Sequence, residues 1–389
     1  MRVGIFTNAY RPFISGVVNS IDIIRKGLLK EGHTPFIFAP EYKGHSDEHA
    51  GVFRFRSVEM SRKVQFPIPI PFSSRIFPII ARMDLDVIHT HHPLLLGDVG
   101  AHFARKLKLP LVYTFHTQLE HYSHYIPLNQ QVVRSLARNT VTAYTQKCDL
   151  VLAPSPTIRA LLDEYEVETR VETLQNAIDL GLFEDADGGP IRQRLGLASE
   201  DVLGMYAGRL GVEKNLDFLL AAFAGVCRQN PRAHLMVVGT GAELDNLKRR
   251  PAELGCQDRV HFTGPVEYSQ MPAHFAAADL FAITSTTEVK PLVVLEAMAS
   301  GLPVVAVAAC GTQDTLTDGH DGWLCPNQLP AYETSLRQAY QDRALRQALG
   351  ANARVSVAQY SAEGYTIRLI GLYRELIAAK GGCRTAEMV

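Results

Sequence analysis

The sequence predicts an α/β protein of two domains, each with a parallel sheet covered by helices. The chain has 389 residues, which is long for a single hydrophobic core. Apolar runs of strand length alternate with helical segments, beginning with 2–7, 16–30 and 34–39. The alternation starts again at 202–207 and 216–228. Because a strand–helix–strand unit implies parallel strands, this repetition predicts a second domain with the plan of the first.

The overall composition is typical of a globular protein. Apolar residues make up 47% of the chain and charged residues 20%. The six cysteines form no CxxC pair, so we expect reduced thiols and neither a disulfide framework nor a zinc site. We expect no signal peptide before the first strand. Because no run of about 18 apolar residues occurs, we also expect no membrane-spanning helix.

Charge is divided unevenly along the chain. Residues 1–150 carry 18 Lys and Arg against 11 Asp and Glu, whereas 151–389 carry 21 against 29. The excess of positive charge in the first part points to an acidic partner, with nucleic acid and an anionic lipid surface as the candidates. A chance distribution explains the charge pattern equally well.

Two carboxylates, Glu288 and Glu296, lie between the predicted strands 279–284 and 302–307. Pro291 suits the first turn of a helix, which puts Glu288 in the loop before that helix and Glu296 inside it. A buried carboxylate is costly unless it is paired or hydrogen-bonded. Glu296 therefore has an internal partner, lies on a solvent-exposed face of the helix, or accepts hydrogen bonds from a ligand, as acidic residues do from a nucleotide ribose in doubly wound folds. The start of the helix offers N–H groups to an anionic ligand.

A basic loop follows the predicted strand 202–207 and carries Arg209 and Lys214. Two cations at the mouth of a strand–helix turn can neutralise the charge that grows on a departing nucleoside diphosphate. A solvated basic loop is the alternative, and it fits less well because the motif with Glu288 follows in the same domain.

Histidines cluster at the ends of two predicted strands in the first half. His89, His91 and His92 follow one strand, and His116 ends the strand that begins at Pro110. The first three could suggest a metal, but no acidic or cysteine ligand accompanies their spacing, so a metal is the weaker interpretation. A lone histidine at a strand end, such as His116, is more often structural.

An unusual stretch, residues 61–83, interleaves prolines and phenylalanines with the cations Arg62, Lys63, Arg75 and Arg82. The prolines exclude a long regular helix before Phe77. The stretch is either a loop that packs its aromatic rings into the domain or a surface that enters a lipid interface.

Two motifs carry a resemblance to a known family. Glu288, seven residues, Glu296 and then Ala-Met-Ala-Ser-Gly is similar to the signature of retaining glycosyltransferases of the GT-B fold. The stretch from Gly208 to Lys214 is similar to the family's Gly-Arg-Leu-x-x-Glu-Lys motif. The chain resembles most closely the large group that includes sucrose synthases, phosphatidylinositol mannosyltransferases and diacylglycerol glucosyltransferases, and the resemblance covers nearly its whole length.

The resemblance implies two doubly wound Rossmann-like domains that face an interdomain cleft. Residues 1–178 would form the acceptor-binding domain and 179–360 the nucleotide-sugar-binding domain. The C-terminal helix, 361–380, would pack back on the first domain, with a disordered tail from Gly381.

The resemblance also implies roles for individual residues. Arg209 and Lys214 would grip the donor diphosphate, Glu296 would hold the ribose, and Glu288 and His116 would approach the transferred sugar. Further donor contacts would come from Gly16, Lys290, Pro291 and Leu292, and the catalytic group would be His116, Glu288, Arg209 and Lys214.

The chain departs from the family pattern at two of these positions. Ser15-Gly16 replaces a Gly-Gly pair, and Val289-Lys290-Pro291 replaces a run of small residues. Pro291 has no N–H to donate, and Lys290 adds a cation in that loop.

The implied reaction is transfer of a hexose, from UDP-glucose or UDP-galactose, to a lipid such as diacylglycerol or a related glycolipid or phospholipid. We expect no cofactor, no metal and no nucleic-acid partner, and a cytoplasmic enzyme held peripherally at the anionic inner face of the cell membrane. The run from Glu120 to Tyr125 resembles lipid-acceptor members. A soluble sugar acceptor is the alternative, and a sugar-nucleotide epimerase or a nicotinamide oxidoreductase fits less well.

Overall fold

The computed structural model describes residues 1–47, 49–58, 67–116 and 130–386. The chain divides into two compact units. The first comprises 1–176 together with 362–389, and the second comprises 177–361. The second unit begins at 177, whereas the sequence predicted that the second domain begins after 178.

The first unit contains a seven-stranded sheet in which every neighbouring pair is parallel. Its strands in chain order are β1 (Arg2–Phe6), β2 (Thr34–Pro40), β3 (Val52–Phe55), β6 (Val87–Thr90), β7 (Leu111–Thr114), β8 (Leu150–Ala153) and β9 (Val171–Thr173). They lie in the order β3-β2-β1-β6-β7-β8-β9. A separate antiparallel ribbon joins β4 (Ser57–Val58) to β5 (Ile68–Pro69).

Helices cover the first sheet. They are α1 (Gly16–Lys30), α2 (Ile76–Ile80), α3 (Leu96–Leu107), α4 (Gln130–Thr145), α5 (Pro156–Glu164) and, from the end of the chain, α14 (Ala362–Ala386). Ser15 caps α1, because its hydroxyl accepts a hydrogen bond from the N–H of Val18 at 3.3 Å. Helix α14 packs against α1, and the hydroxyl of Tyr373 lies 2.7 Å from Nδ1 of the buried His89.

The second unit repeats this plan with a six-stranded parallel sheet. Its strands are β10 (Val202–Ala207), β11 (Ala233–Val238), β12 (Val260–Gly264), β13 (Leu280–Ile283), β14 (Val304–Val307) and β15 (Gly322–Cys325), in the order β12-β11-β10-β13-β14-β15. Its helices are α6 (Gly189–Arg194), α7 (Leu216–Gln229), α8 (Leu244–Glu253), α9 (Met271–Ala277), α10 (Leu292–Ala299), α11 (Cys310–Gln313), α12 (Leu329–Gln341) and α13 (Arg343–Val357). The prediction of two Rossmann-like parallel sheets is therefore confirmed.

The order of strands fixes where loops from distant parts of the chain meet. In the second unit the chain runs outward from β10 to β12 and then returns to place β13 beside β10. In the first unit it returns in the same way to place β6 beside β1. Such a reversal opens a crevice at the carboxyl ends of the two central strands, where doubly wound folds bind ligands.

Two predicted helix ends differ from those observed. The final helix continues to Ala386, whereas the sequence predicted an end near 380 and a disordered tail. Pro291 is the residue before α10 and does not lie in its first turn. Its φ of −73° and ψ of 104° are extended backbone, because the chain turns there from the loop into the helix.

Candidate active site

The loops after β10 and β13 lie side by side at the reversal point of the second sheet, and they carry four of the predicted site residues. The loop after β10 brings Arg209 and Lys214, and the loop after β13 brings Glu288 and leads into α10 with Glu296. The two loops are tied together, since the hydroxyl of Thr284 donates to the carbonyl of Lys214 at 3.0 Å.

Arg209 is held by a carboxylate from its own loop. Its Nη2 donates to Oε1 of Glu213 at 2.6 Å. The Glu213 side chain is only 3% exposed, whereas the Arg209 side chain is 38% exposed. The buried carboxylate therefore orients a guanidinium that stays accessible to a ligand.

Lys214 and Glu288 form an ion pair between the two loops. Nζ of Lys214 lies 2.5 Å from Oε1 of Glu288, and both side chains are largely buried. Burial opposes ionisation of Glu288, but the Lys214 charge and hydrogen bonds from Lys214 and Ser285 outweigh it and keep the pKa of Glu288 below its ordinary value. Glu288 is therefore a carboxylate at neutral pH.

Glu296 lies on the buried side of α10 and is 4% exposed. Burial raises the pKa of Glu296 to about 7, although a hydrogen bond from the side chain of Tyr268 opposes this shift. The internal partner that the sequence analysis considered is therefore present. A carboxyl group that titrates near neutrality and accepts a hydrogen bond from Tyr268 can still accept a ligand hydroxyl.

Lys290 does not direct its charge out of the loop. Its Nζ donates to the carbonyl of Asp314 at 3.0 Å and lies over the ring of Tyr360, 4.4 Å from the centroid. The resemblance implied a donor contact for Lys290, but its ammonium faces the interior of the second unit. Because Pro291 has no N–H, the donor that this segment can offer a ligand at the start of α10 is the backbone N–H of Leu292.

Gly16 and the histidines lie at the reversal point of the first sheet or next to it. Gly16 is the first residue of α1, after the loop that follows β1. His92, after β6, accepts a hydrogen bond at Nδ1 from the N–H of Asn8 at 3.1 Å, which fixes the loop after β1. Gly16 therefore begins its helix from a loop that is held in place.

His116 follows β7 and contacts His91. Nδ1 of His91 lies 2.7 Å from Nε2 of His116, and the two rings are stacked with centroids 5.0 Å apart. Burial lowers the pKa of His116 to about 3 and that of His91 well below its usual value. Both imidazoles are therefore neutral, and His116, which is only partly buried, can still meet a ligand. Nε2 of His91 is buried with no hydrogen-bond partner among the described residues.

The described residues contain no cluster of three or more His, Cys, Asp or Glu side chains that could hold a metal ion. Two Asp-x-Asp pairs occur in the sequence, and the second aspartate of each accepts a hydrogen bond from a backbone N–H. Asp86 accepts from the N–H of Arg2 at 2.7 Å, and Asp187 accepts from the N–H of Gly189 at 2.8 Å. Neither pair belongs to the loops that carry the predicted site residues.

The stretch 61–83 is partly described, since residues 61–66, with Arg62 and Lys63, lie outside the described residues. Phe77 packs into the first unit against Phe55 and Phe103, with centroids 6.4 and 5.1 Å away. Phe72, by contrast, is 67% exposed. The described part therefore combines an inward-packed ring with an exposed one. The run from Glu120 to Tyr125 also lies outside the described residues.

Sequence reasoning gave no role to three residues that shape this site. Glu213 stands four residues after Arg209 and is the Glu of the Gly-Arg-Leu-x-x-Glu-Lys motif, so that motif was the available signal. Tyr268 and Tyr360 come from distant segments, and no motif marks them.

None of the helices in the described part of the chain has the length and apolar composition to cross a bilayer.

Comparison with known families matches both halves of the chain. Residues 14–182 match the model described as Glycosyltransferase Family 4, and residues 189–356 match the model described as Glycosyl transferases group 1.

Two curated proteins are similar over most of their length. The alpha-monoglucosyldiacylglycerol synthase of Streptococcus pneumoniae is 34% identical over 312 residues, which cover 79% of this chain and 71% of that protein. The alpha-monoglucosyldiacylglycerol synthase of Acholeplasma laidlawii is 25% identical over 390 residues, which cover 97% and 98%. Among solved structures, a sucrose-phosphate synthase from Thermosynechococcus elongatus superposes with a TM-score of 0.83 at 23% identity, over 97% of this chain and 99% of that one.

Proposed function

The chain belongs to the family of glycosyl transferases group 1, and we propose that it moves a hexose from a nucleotide sugar to a membrane lipid. The donor is UDP-glucose or UDP-galactose. The acceptor is diacylglycerol or a related glycolipid or phospholipid. The fold is the GT-B fold, and the enzyme is a glycosyltransferase. The identities of the donor sugar and of the lipid acceptor, and the stereochemistry of the transfer, are proposed.

The observation that carries the proposal is the meeting of Arg209 and Lys214 with Glu288 at the reversal point of the second sheet. Both cations are paired with carboxylates in the chain alone. A diphosphate that enters between these loops gains two charge-assisted contacts, and Arg209 is accessible for the first of them. The same charges stabilise the leaving nucleoside diphosphate as the bond to the sugar breaks.

Glu296 completes the donor site as the acceptor of ribose hydroxyls. Ribose hydroxyls donate to the ionised carboxylate, and they therefore favour loss of the proton that Glu296 holds at a pKa of about 7. The N–H groups at the start of α10 add a positive end for the phosphates.

We propose that Glu288 and His116 each act on the transferred sugar and that neither is a covalent nucleophile. Neutral His116 can donate or accept a hydrogen bond to a sugar hydroxyl, with its other nitrogen held by His91. An α-linked donor then gives an α-linked product. Gly16 leaves room for a diphosphate or an acceptor beside the loop after β1.

Metal-independent transfer follows from the two cations. A divalent ion on a diphosphate would neutralise its charge, and Arg209 and Lys214 supply that neutralisation directly. We therefore propose that the enzyme needs neither a metal nor a cofactor.

A lipid acceptor is supported by the first unit and by the curated relatives. Val58, Ile70 and Phe72 are exposed apolar side chains that lie near the exposed cations Arg56 and Arg75 in the sequence. Such a mixture suits the headgroup boundary of an anionic bilayer. Two similar curated proteins are named as alpha-monoglucosyldiacylglycerol synthases. We place the enzyme peripherally at the inner face of the cell membrane.

The test is a transfer assay with purified protein, labelled UDP-glucose or UDP-galactose, and vesicles of diacylglycerol in anionic phospholipid. The parallel arm replaces the vesicles with soluble sugars and glycerol. Labelled glycolipid with an α linkage supports the proposal. Transfer to soluble sugars with none to lipid moves the protein to the soluble-acceptor alternative. Hydrolysis of the donor without any transfer overturns both.

A further inference from the structure

The loop 288–291 is fastened to helix α11 at both of its ends. The N–H of Gly311 donates to the carbonyl of Glu288 at 2.9 Å. The ammonium of Lys290 donates to the carbonyl of Asp314, the residue that follows α11, at 3.0 Å. The approach is close, because a Cβ at Gly311 would lie 2.8 Å from the Glu288 carbonyl oxygen and 2.8 Å from Cδ of Pro291. The loop and the short helix are therefore closely packed and joined by two hydrogen bonds.

The Lys290 ammonium is itself enclosed. The residue is 5% exposed, and its Nζ lies 3.3 Å from the hydroxyl of Tyr360 and 4.4 Å from the centre of that ring. Burial lowers the pKa of Lys290 to about 8, and the negative charge of Asp314 opposes the shift. A buried charge is costly unless it is compensated. Here a carbonyl, a hydroxyl and an aromatic face compensate it.

Tyr360 is a firm anchor for this contact. It is buried, and its carbonyl accepts a hydrogen bond from the N–H of Ile178 at 3.0 Å. Ile178 also pairs with Ser361 in a parallel bridge. The Tyr360 ring therefore projects from a backbone segment that pairs with Ile178 within the second unit.

We infer that Lys290 is a positioning residue for the donor-binding loop, with its ammonium clamped between the Asp314 carbonyl and the Tyr360 ring. The inference rests on the proposed function, in which this loop supplies Glu288 and the N–H groups at the start of α10. Lys214 holds the Glu288 side chain, and the N–H of Gly311 holds the Glu288 carbonyl. Lys290 anchors the same loop two residues further on.

The experiment compares Lys290→Met, Lys290→Arg, Tyr360→Leu and the control Lys248→Met, an exposed lysine on α8. For each variant, calorimetry measures the Kd of UDP, steady-state assays measure KM for donor and acceptor, and thermal unfolding measures Tm. We expect Lys290→Met to raise the UDP Kd and donor KM about tenfold, a change equal to about 1.4 kcal/mol, with the lipid KM unchanged. Tyr360→Leu should act in the same direction, and Lys248→Met should not differ from the wild type.

Stability separates positioning from a general structural role. Because burial disfavours the charged form of Lys290, replacing it by an apolar side chain of similar length removes that cost, so Lys290→Met should unfold at the same temperature or higher. Lys290→Arg keeps the charge and should recover most of the donor affinity. An unchanged UDP Kd in a folded Lys290→Met protein overturns the inference, as does equal loss in the Met and Arg variants or a donor defect that only follows a fall in Tm.

The two proposals fail in different ways. Wild-type protein that binds UDP but transfers no sugar to any acceptor overturns the proposed function, and the inference is then decided by the UDP Kd values alone. Wild-type protein that binds no nucleoside diphosphate overturns both.

Discussion

Nζ of Lys214 lies 2.5 Å from Oε1 of Glu288, although 74 positions separate the two residues in the sequence. The contact joins the loops after the two central strands of the second sheet. It compensates a buried carboxylate with a buried ammonium, so removal of either partner leaves the other charge exposed to the full cost of burial.

Loss of the donor contacts should weaken nucleotide binding. We expect Arg209→Ala, Lys214→Ala and Glu296→Ala each to cost about 1.5–3 kcal/mol in affinity for UDP, because each removes a hydrogen bond to a charged group. Titration calorimetry measures this directly, and Lys248→Ala, on an exposed face of α8, is the matched control. Three variants that bind UDP as tightly as the wild type would remove these loops from the donor site.

Donor affinity should increase as the pH rises through about 7, because the ribose hydroxyls bind the ionised form of Glu296. The stability of the ligand-free protein should respond in the opposite sense. The raised pKa of Glu296 contributes stability below its unfolded value of 4.5, and this contribution is lost as the pH rises through about 7.

Glu296→Gln serves as the control for both effects. Its UDP affinity should vary less with pH than that of the wild type, and its Tm relative to the wild type should rise between pH 5 and 8. A wild-type UDP affinity that does not change between pH 6 and 8 contradicts the role of Glu296.

His116→Ala should lower kcat far more than it weakens UDP binding, because the contact of His116 is to the transferred sugar. Since the pKa of His116 is about 3, this side chain should contribute no step to the pH profile between 5 and 9. Comparison of kcat and the UDP Kd for the two proteins measures the first expectation. A His116→Ala enzyme with an undiminished kcat would return His116 to a structural role.

Transfer should persist in excess EDTA and should give an α-linked glycoside from the α-linked donor. The physical reason is that Arg209 and Lys214 neutralise the leaving group without a divalent ion. Product formation with and without chelator, followed by determination of the anomeric linkage by NMR, tests both points. Activity that EDTA abolishes and Mg²⁺ or Mn²⁺ restores speaks against the metal-free mechanism, and a β-linked product speaks against retention.

Binding to anionic vesicles should weaken as salt increases, because cations near an anionic leaflet contribute about 1 kcal/mol each and are screened. Phe72→Ser should reduce the bound fraction further by removing apolar burial. The matched control is Val355→Ser, since Val355 is 75% exposed in the second unit. Co-sedimentation across a salt series measures the bound fraction. Binding that ignores both lipid charge and salt excludes the proposed surface.

Local patterns predicted most of the elements because they depend on neighbours in the sequence. Helix α1 begins at Gly16 and ends at Lys30 as predicted, since Ser15 caps it and the apolar spacing marks its buried face. The final helix was predicted to end too early, because the residues after 380 carry no apolar stripe that indicates a helix. No proline follows that would mark where the helix ends.

Contacts between distant segments could not be predicted in the same way. The motifs identified Arg209, Lys214 and Glu288, but their partners depend on how the loops meet. The direction of the Lys290 side chain is set by Asp314 and Tyr360, which are 24 and 70 positions away. A single sequence carries no signal for either contact, so Lys290 was predicted to contact the donor.

The position of helix α14 bears on how the chain is made. Tyr373, which contacts His89, and Glu375, which pairs with Arg170 at 2.6 Å, both belong to the first unit but follow the whole second unit in the sequence. A ribosome therefore completes residues 177–361 before it adds these partners of the first unit. Because domains fold as units during synthesis, the second unit can fold while the chain is still being translated. The first unit is translated first but completes its folding last, because it needs helix α14.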